Sequence, residues 1–110
     1  MENTMKILNA DNFENEVLES DMPVIVDFYA DWCMPCKVMT PVVNEIEKKY
    51  INSIKMGKIN IDENPMVALD YRVLSIPTLL FIKDGKVLGR LEEAVTKNVV
   101  ETKIKKYFNL

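Results

Sequence analysis

Histidine is absent from the 110-residue sequence, and only two cysteines occur. A structural zinc site takes about four Cys or His ligands, so two thiols in one chain cannot complete one, and an intrachain iron–sulfur cluster fails the same count. Lack of histidine also excludes Ser-His and Cys-His nucleophile pairs. Proton transfer must therefore use Asp, Glu, Lys, Tyr, Cys or water. With only 3 Gly and 5 Pro the chain has neither the collagen-like nor the low-complexity composition. Positive charge is not in excess: 14 Lys and Arg stand against 17 Asp and Glu, a formal net charge of -3. Nucleic acid and anionic membrane surfaces are thus not expected partners, and the cluster Lys103, Lys105, Lys106 is too short to alter that. No run of roughly 20 apolar residues is available to span a bilayer. The opening Met1-Glu2-Asn3-Thr4-Met5-Lys6 has no apolar leader core. These absences predict a cytoplasmic protein, and in that reducing compartment a lone cysteine pair is more often redox-active than structural.

What is present describes an ordinary globular chain, 48% hydrophobic and 28% charged, of a length suited to one domain over residues 1–110. Strand-like and helix-like stretches alternate, which predicts an α/β fold. Met5 to Leu8 reads as a short strand. Phe13, Val17 and Leu18 are spaced along one helical face after a capping type of residue. Val24 to Ala30 is β-branched and aromatic almost throughout and reads as a central strand buried on both faces, with Asp27 its single charge. Pro35 to Tyr50 carries Val38, Met39, Val42, Val43 and Ile46 in a helical pattern, with a kink expected at Pro41. Ile54 to Ile61 is another strand. Asn64-Pro65 supplies a cap and a first-turn proline for a short helix ending at Tyr71. Pro77 to Ile82 and Lys86 to Leu91 flank Asp84-Gly85, a hairpin signal for antiparallel strands. A last helix from Thr96 to Phe108 would bury Val100, Ile104 and Phe108. The predicted order is β-α-β-α-β-α-β-β-α.

Chemistry concentrates in Cys33-Met34-Pro35-Cys36, between the buried strand and the long helix. Both sulfurs then sit at a helix N-terminus, where unpaired N–H groups and the positive end of the dipole stabilise a thiolate. Pro35 suits the first helical position, which makes Met34 the cap-like residue and leaves Cys33 just outside as the exposed nucleophile. Cys36, one turn inward, is shielded yet close enough to close a disulfide. Such a pair can attack a substrate disulfide, hold it as a mixed disulfide and resolve it. Two small buried hydrophobes would be the usual reading of arbitrary cysteines, but a C-x-x-C that follows a buried strand and opens a helix argues against it. Asp27, inside an apolar strand, is expected to have a raised pKa through desolvation, which suits proton exchange with Cys36. Trp32, the sole tryptophan, stands beside the nucleophile and reads as a lid and contact surface rather than core.

The stretch from Asp27 through Trp32-Cys33-Met34-Pro35-Cys36-Lys37 resembles the active-site segment of the thioredoxin family. Ser75-Ile76-Pro77-Thr78 is similar to that family's loop ending in a cis-proline, and Lys58 to Pro65 and Phe81 to Gly85 match further family positions. The resemblance covers essentially the whole chain in order. It implies the thioredoxin fold, a central mixed sheet flanked by helices, with a reversible dithiol at Cys33 and Cys36 and no cofactor or metal of its own. It implies Asp27 as proton carrier through a water, Lys58 close to Asp27, and a substrate surface from Trp32, Met34, Pro35, Ile76 and Pro77. The partners it implies are disulfide-containing proteins and a thioredoxin reductase, either NADPH- or ferredoxin-linked, acting on a monomer. The sequence departs from the family pattern twice. Met34 replaces the usual glycine between the cysteines, and Leu91-Glu92-Glu93-Ala94 replaces a small apolar stretch, putting Glu92 and Glu93 near the substrate groove. Two rival readings are a relative that serves one partner or works as an oxidant or isomerase, and a non-catalytic docking subunit. The redox potential of the pair separates the first. Against the second stands the joint presence of Asp27, Trp32, Cys33, Pro35, Cys36 and Pro77, since docking alone needs no proton carrier.

Overall fold

A computed structural model describes residues 5–110; Met1 to Thr4, part of the opening stretch read for a leader, lie outside the described residues. Five strands form one mixed sheet in the order β1-β3-β2-β4-β5, namely β1 Lys6–Leu8, β2 Val24–Tyr29, β3 Lys55–Asn60, β4 Thr78–Lys83 and β5 Lys86–Leu91. The β1–β3 and β3–β2 pairs are parallel, the β2–β4 and β4–β5 pairs antiparallel. The strand read as central is central: Val24, Ile25, Val26 and Phe28 are essentially inaccessible, each contributing about 1.5–3 kcal/mol relative to exposure. No helix among the described residues is long and apolar enough to cross a membrane.

Alternation along β2 sends its side chains into two cores. Ile25 joins Met39, Val43 and Ile46 of helix α1 (Met34–Lys49) and Val100, Ile104 and Phe108 of helix α3 (Lys97–Phe108) on one face. Val24, Val26 and Phe28 join Phe13, Val17 and helix α2 (Pro65–Asp70) on the other. Helix α3 begins as expected, with the Thr96 hydroxyl accepting from the Val99 N–H. The β4–β5 hairpin also agrees: Asp84 and Gly85 both have positive φ, 53° and 75°, as a two-residue turn of the favoured hand requires.

Three local expectations are corrected. Residues around Phe13 to Leu18 form a five-residue π-helical turn, Glu14–Leu18, rather than an α-helix. The Glu19 N–H donates to the Glu14 carbonyl five residues back, the wider spacing of a π-turn. Asn64 precedes α2 but makes no side-chain cap. Its Oδ1 accepts from the Ala10 N–H and its Nδ2 donates to the Asn60 carbonyl, so it ties two loops together instead. Val38, part of the apolar pattern of α1, is exposed, and the buried face runs through Cys36, Met39, Val43 and Ile46.

Candidate active site

The chain leaves β2 at the carboxyl edge of the sheet and turns through Ala30, Asp31 and Trp32 into α1. Cys33, not Met34, is the cap: it has extended φ and ψ, and its Sγ accepts the Cys36 N–H at 3.2 Å. Pro35 therefore falls one place deeper than expected, still within the first turn where its missing N–H is harmless. The shift strengthens the electrostatic case, because one sulfur now occupies the acceptor position that a helix N-terminus offers to anions. The two cysteines form a disulfide, with Cα atoms 5.3 Å apart.

The expectation that Cys33 is the exposed partner is corrected as well. Cys33 is 3% exposed and Cys36 7%; Ala30, Tyr29, Ile61 and Ile76 pack around them. What separates the sulfurs is the space each residue faces. Cys33 lines a groove of about 390 Å³ with Trp32, Met34, Pro35, Ile61 and the loop from Val73 to Ile76. Cys36 lines a second cavity of about 190 Å³, which also includes Asp27, Lys58, Thr40 and Asn44.

Asp27 occupies the rear cavity because β2 places it on the same sheet face as Ile25, toward α1. Its Oδ1 is shut off from solvent and has no hydrogen-bond partner. Burial pushes its pKa from 3.8 up to about 7, and the charge of Lys58 pulls it partly back. Lys58 is the register partner of Asp27 across the β2–β3 pair, which explains their proximity, and its Nζ also lies 5.6 Å from the centre of the Tyr29 ring. Burial first, and then the negative charges of Asp31 and Glu63, raise the Tyr29 phenol.

On the groove side the Ile76–Pro77 bond is cis. The Ile76 carbonyl oxygen lies 3.7 Å from Cys33 Sγ. Trp32 is 68% exposed, and its indole N–H donates to the Asp62 carboxylate at 2.7 Å, so it stands beside the groove and outside the core. Glu92 reaches the groove wall only through its backbone carbonyl, which accepts from the Ser75 hydroxyl at 3.2 Å, while its carboxylate lies 3.7 Å from Arg90. Glu93 is exposed, and neither glutamate lines the groove. Sequence reasoning passed over Asp62, Ile61, Val73 and Leu74. Leu74 is detectable as an apolar residue beside the Ser75-Ile76-Pro77 loop, but Asp62 lies 30 residues from Trp32 and has no local signal.

The family profile for thioredoxin matches residues 4–106. Among similar proteins, a thioredoxin of Porphyra purpurea is 44% identical over 98 residues, 89% of this chain and 92% of its own. Thioredoxin 1 of Synechococcus elongatus is 46% identical over 95 residues, 86% of this chain and 89% of its own. A chloroplastic M-type thioredoxin of Chlamydomonas reinhardtii is 45% identical over 102 residues, 93% and 73% respectively. With a Cys33–Cys36 disulfide at the start of α1 in a mixed five-stranded sheet, the chain belongs to the thioredoxin family of protein-disulfide oxidoreductases.

Proposed function

We propose that the chain reduces protein disulfides with Cys33 as the attacking thiolate, Cys36 as the resolving thiol and Asp27 as the proton acceptor. In the first step the Cys33 thiolate attacks one sulfur of a substrate disulfide. That S–S bond breaks, a Cys33–substrate disulfide forms, and the other substrate sulfur leaves as a thiolate that takes up a proton. In the second step Cys36 gives its proton to the Asp27 carboxylate, by way of a water, and attacks Cys33 Sγ. The mixed disulfide breaks, the second substrate sulfur leaves as a thiolate that takes up a proton, and the Cys33–Cys36 disulfide remains. Two electrons pass from the dithiol to the substrate, and a reductase returns them. Lys58 keeps a positive charge beside Asp27, which lowers the free energy of the ionised carboxylate that must accept the proton.

The observation that carries this reading is the division of space around the pair: Cys33 faces the groove, and Cys36 shares a cavity with the Asp27 carboxyl, whose Oδ1 is shut off from solvent and unpartnered. In the groove, Trp32, Met34, Pro35, Ile76 and Pro77 hold an extended substrate segment, with Glu92 and Glu93 charging its border. The protein acts as a single thioredoxin domain over residues 1–110, as a monomer in the cytoplasm, carrying electrons from an NADPH- or ferredoxin-linked thioredoxin reductase. Trapping tests the roles. Cys36→Ser leaves the first step intact and accumulates mixed disulfides with substrate proteins, whereas Cys33→Ser accumulates almost none. Equal trapping by both variants rejects the assignment.

A further inference from the structure

We infer that Arg90 is a positioning residue for substrate binding: from the edge strand β5 it locks the turn that ends α2, and so fixes the groove wall beside Cys33. The inference rests on the disulfide-reductase reading and adds a residue that lines neither the groove nor the rear cavity.

The turn has crossed backbone bonds. Arg72 N–H donates to the Leu69 carbonyl at 3.0 Å and Val73 N–H to the Ala68 carbonyl at 2.9 Å, the arrangement that ends a helix when the residue after the cap is left-handed. Here that residue is Arg72, with φ of 53°. Glycine is favoured in this conformation, because any side chain crowds its own backbone. The two crossed bonds use the Ala68 and Leu69 carbonyls and do nothing for those of Tyr71 and Arg72. Arg90 serves those: Nη2 donates to the Tyr71 carbonyl at 2.8 Å and Nη1 to the Arg72 carbonyl at 3.3 Å. Arg90 can reach them because it lies opposite Leu80 and shares that residue's sheet face, the face that α2 covers. A planar guanidinium donates to two acceptors at once, and its charge suits the negative end of a helix. The Glu92 carboxylate, 3.7 Å from Nη1, holds the guanidinium from another side.

The consequence falls on the next four residues. Val73, Leu74, Ser75 and Ile76 line the groove, and the Ile76 carbonyl stands 3.7 Å from Cys33 Sγ. Leu74 is 91% exposed, and of the four only Val73 and Ile76 pack against the core. It is tied to the β5 end of the sheet at two points, through Arg90 and through the Ser75 hydroxyl on the Glu92 carbonyl. Without Arg90, only the two crossed backbone bonds oppose the tendency of Arg72 to leave the left-handed region, and the wall shifts more readily with it. A substrate that lays its backbone along the wall needs that placement. A small disulfide needs only Cys33.

Single-turnover reduction by the prereduced full chain distinguishes the two, using a disulfide-bonded peptide of about ten residues and a small aromatic disulfide. Arg90→Ala is expected to raise the half-saturating peptide concentration about five- to tenfold, as befits lost hydrogen bonds from a charged donor. The limiting rate and the small-disulfide rate stay unchanged. Arg90→Lys, a point charge able to serve one carbonyl well, recovers part of the loss. Arg72→Gly added to Arg90→Ala recovers most of it, because glycine holds the turn unaided. An unchanged half-saturating concentration, or an equal loss on both disulfides, overturns the inference. If Arg90→Ala does not fold, Arg90→Lys with and without Arg72→Gly makes the same comparison. Should the parent protein reduce neither disulfide, the reductase reading fails separately. Amide chemical shifts of residues 72–76 then decide the role of Arg90, moving in Arg90→Lys if it holds the wall and staying fixed if it does not.

Discussion

Replacing Asp27 with Asn removes an ionisable group and almost no volume, and its effect on stability can be worked from the cavity. Burial holds the folded-state pKa near 7 against an ordinary value of 3.8. The folded chain therefore binds the proton more tightly than the unfolded chain. The contribution of this raised group is fully present below about pH 4 and is lost as pH rises through the window to about 7. Three units at roughly 1.4 kcal/mol each amount to about 4 kcal/mol. That is an upper figure, because part of the residue keeps contact with the cavity. Asn is neutral at every pH, and Oδ1 has no hydrogen bond to lose. Guanidinium unfolding of the oxidised parent and Asp27→Asn should thus show a stability advantage for the variant that grows by up to about 4 kcal/mol between about pH 4 and 8, following one titration. An advantage that is constant with pH, or largest in acid, refutes the reasoning: the carboxyl would then not be the buried, late-titrating group described.

The same variant should slow resolution of the mixed disulfide while leaving substrate affinity intact, and its rate should lack the dependence on a group near pH 7 that is expected of the parent. Thr96→Ala removes the hydroxyl that caps α3 and should cost about 1 kcal/mol in equilibrium unfolding. Gly57→Ala would put a methyl 2.6 Å from the Leu8 side chain, itself buried, and should destabilise by about 1–3 kcal/mol through overpacking. Changing Glu92 to Val and Glu93 to Gly should speed reduction of acidic disulfide substrates and slow that of basic ones at low salt, with the difference shrinking as salt rises; identical rates at both salt levels would show the pair to be solvated surface charge.

How far the sequence exposes this molecule depends on how far apart the interacting residues lie along the chain. The buried central strand, the hairpin at Asp84-Gly85 and the span and buried face of α3 are written in short-range patterns, so they are legible residue by residue. The buried position of Asp27 is legible for the same reason, since apolar neighbours in a strand leave a charge nowhere to go. Patterns mislead where a side chain has two possible partners. Asn64 has the right identity and place for a helix cap, yet a distant amide, Ala10 N–H, takes its oxygen. At Met34 the restriction that a following proline imposes pointed to a cap. The Cys36 N–H instead selects the sulfur of Cys33, and the helix starts one residue earlier. Beyond these near misses lie contacts with no local trace. Trp32 meets Asp62 across 30 residues because β2 and β3 end side by side, and Arg90 meets Tyr71 across 19 because β5 places it on the sheet face that α2 covers. Arg72 makes the point most sharply. Its type argues against a left-handed turn, yet crossed backbone bonds close that turn and an arginine from β5 reaches its carbonyls. The chemistry of the thiols is therefore readable from a single motif, while the shape of the surface that presents substrates to them is set by residues that no motif contains.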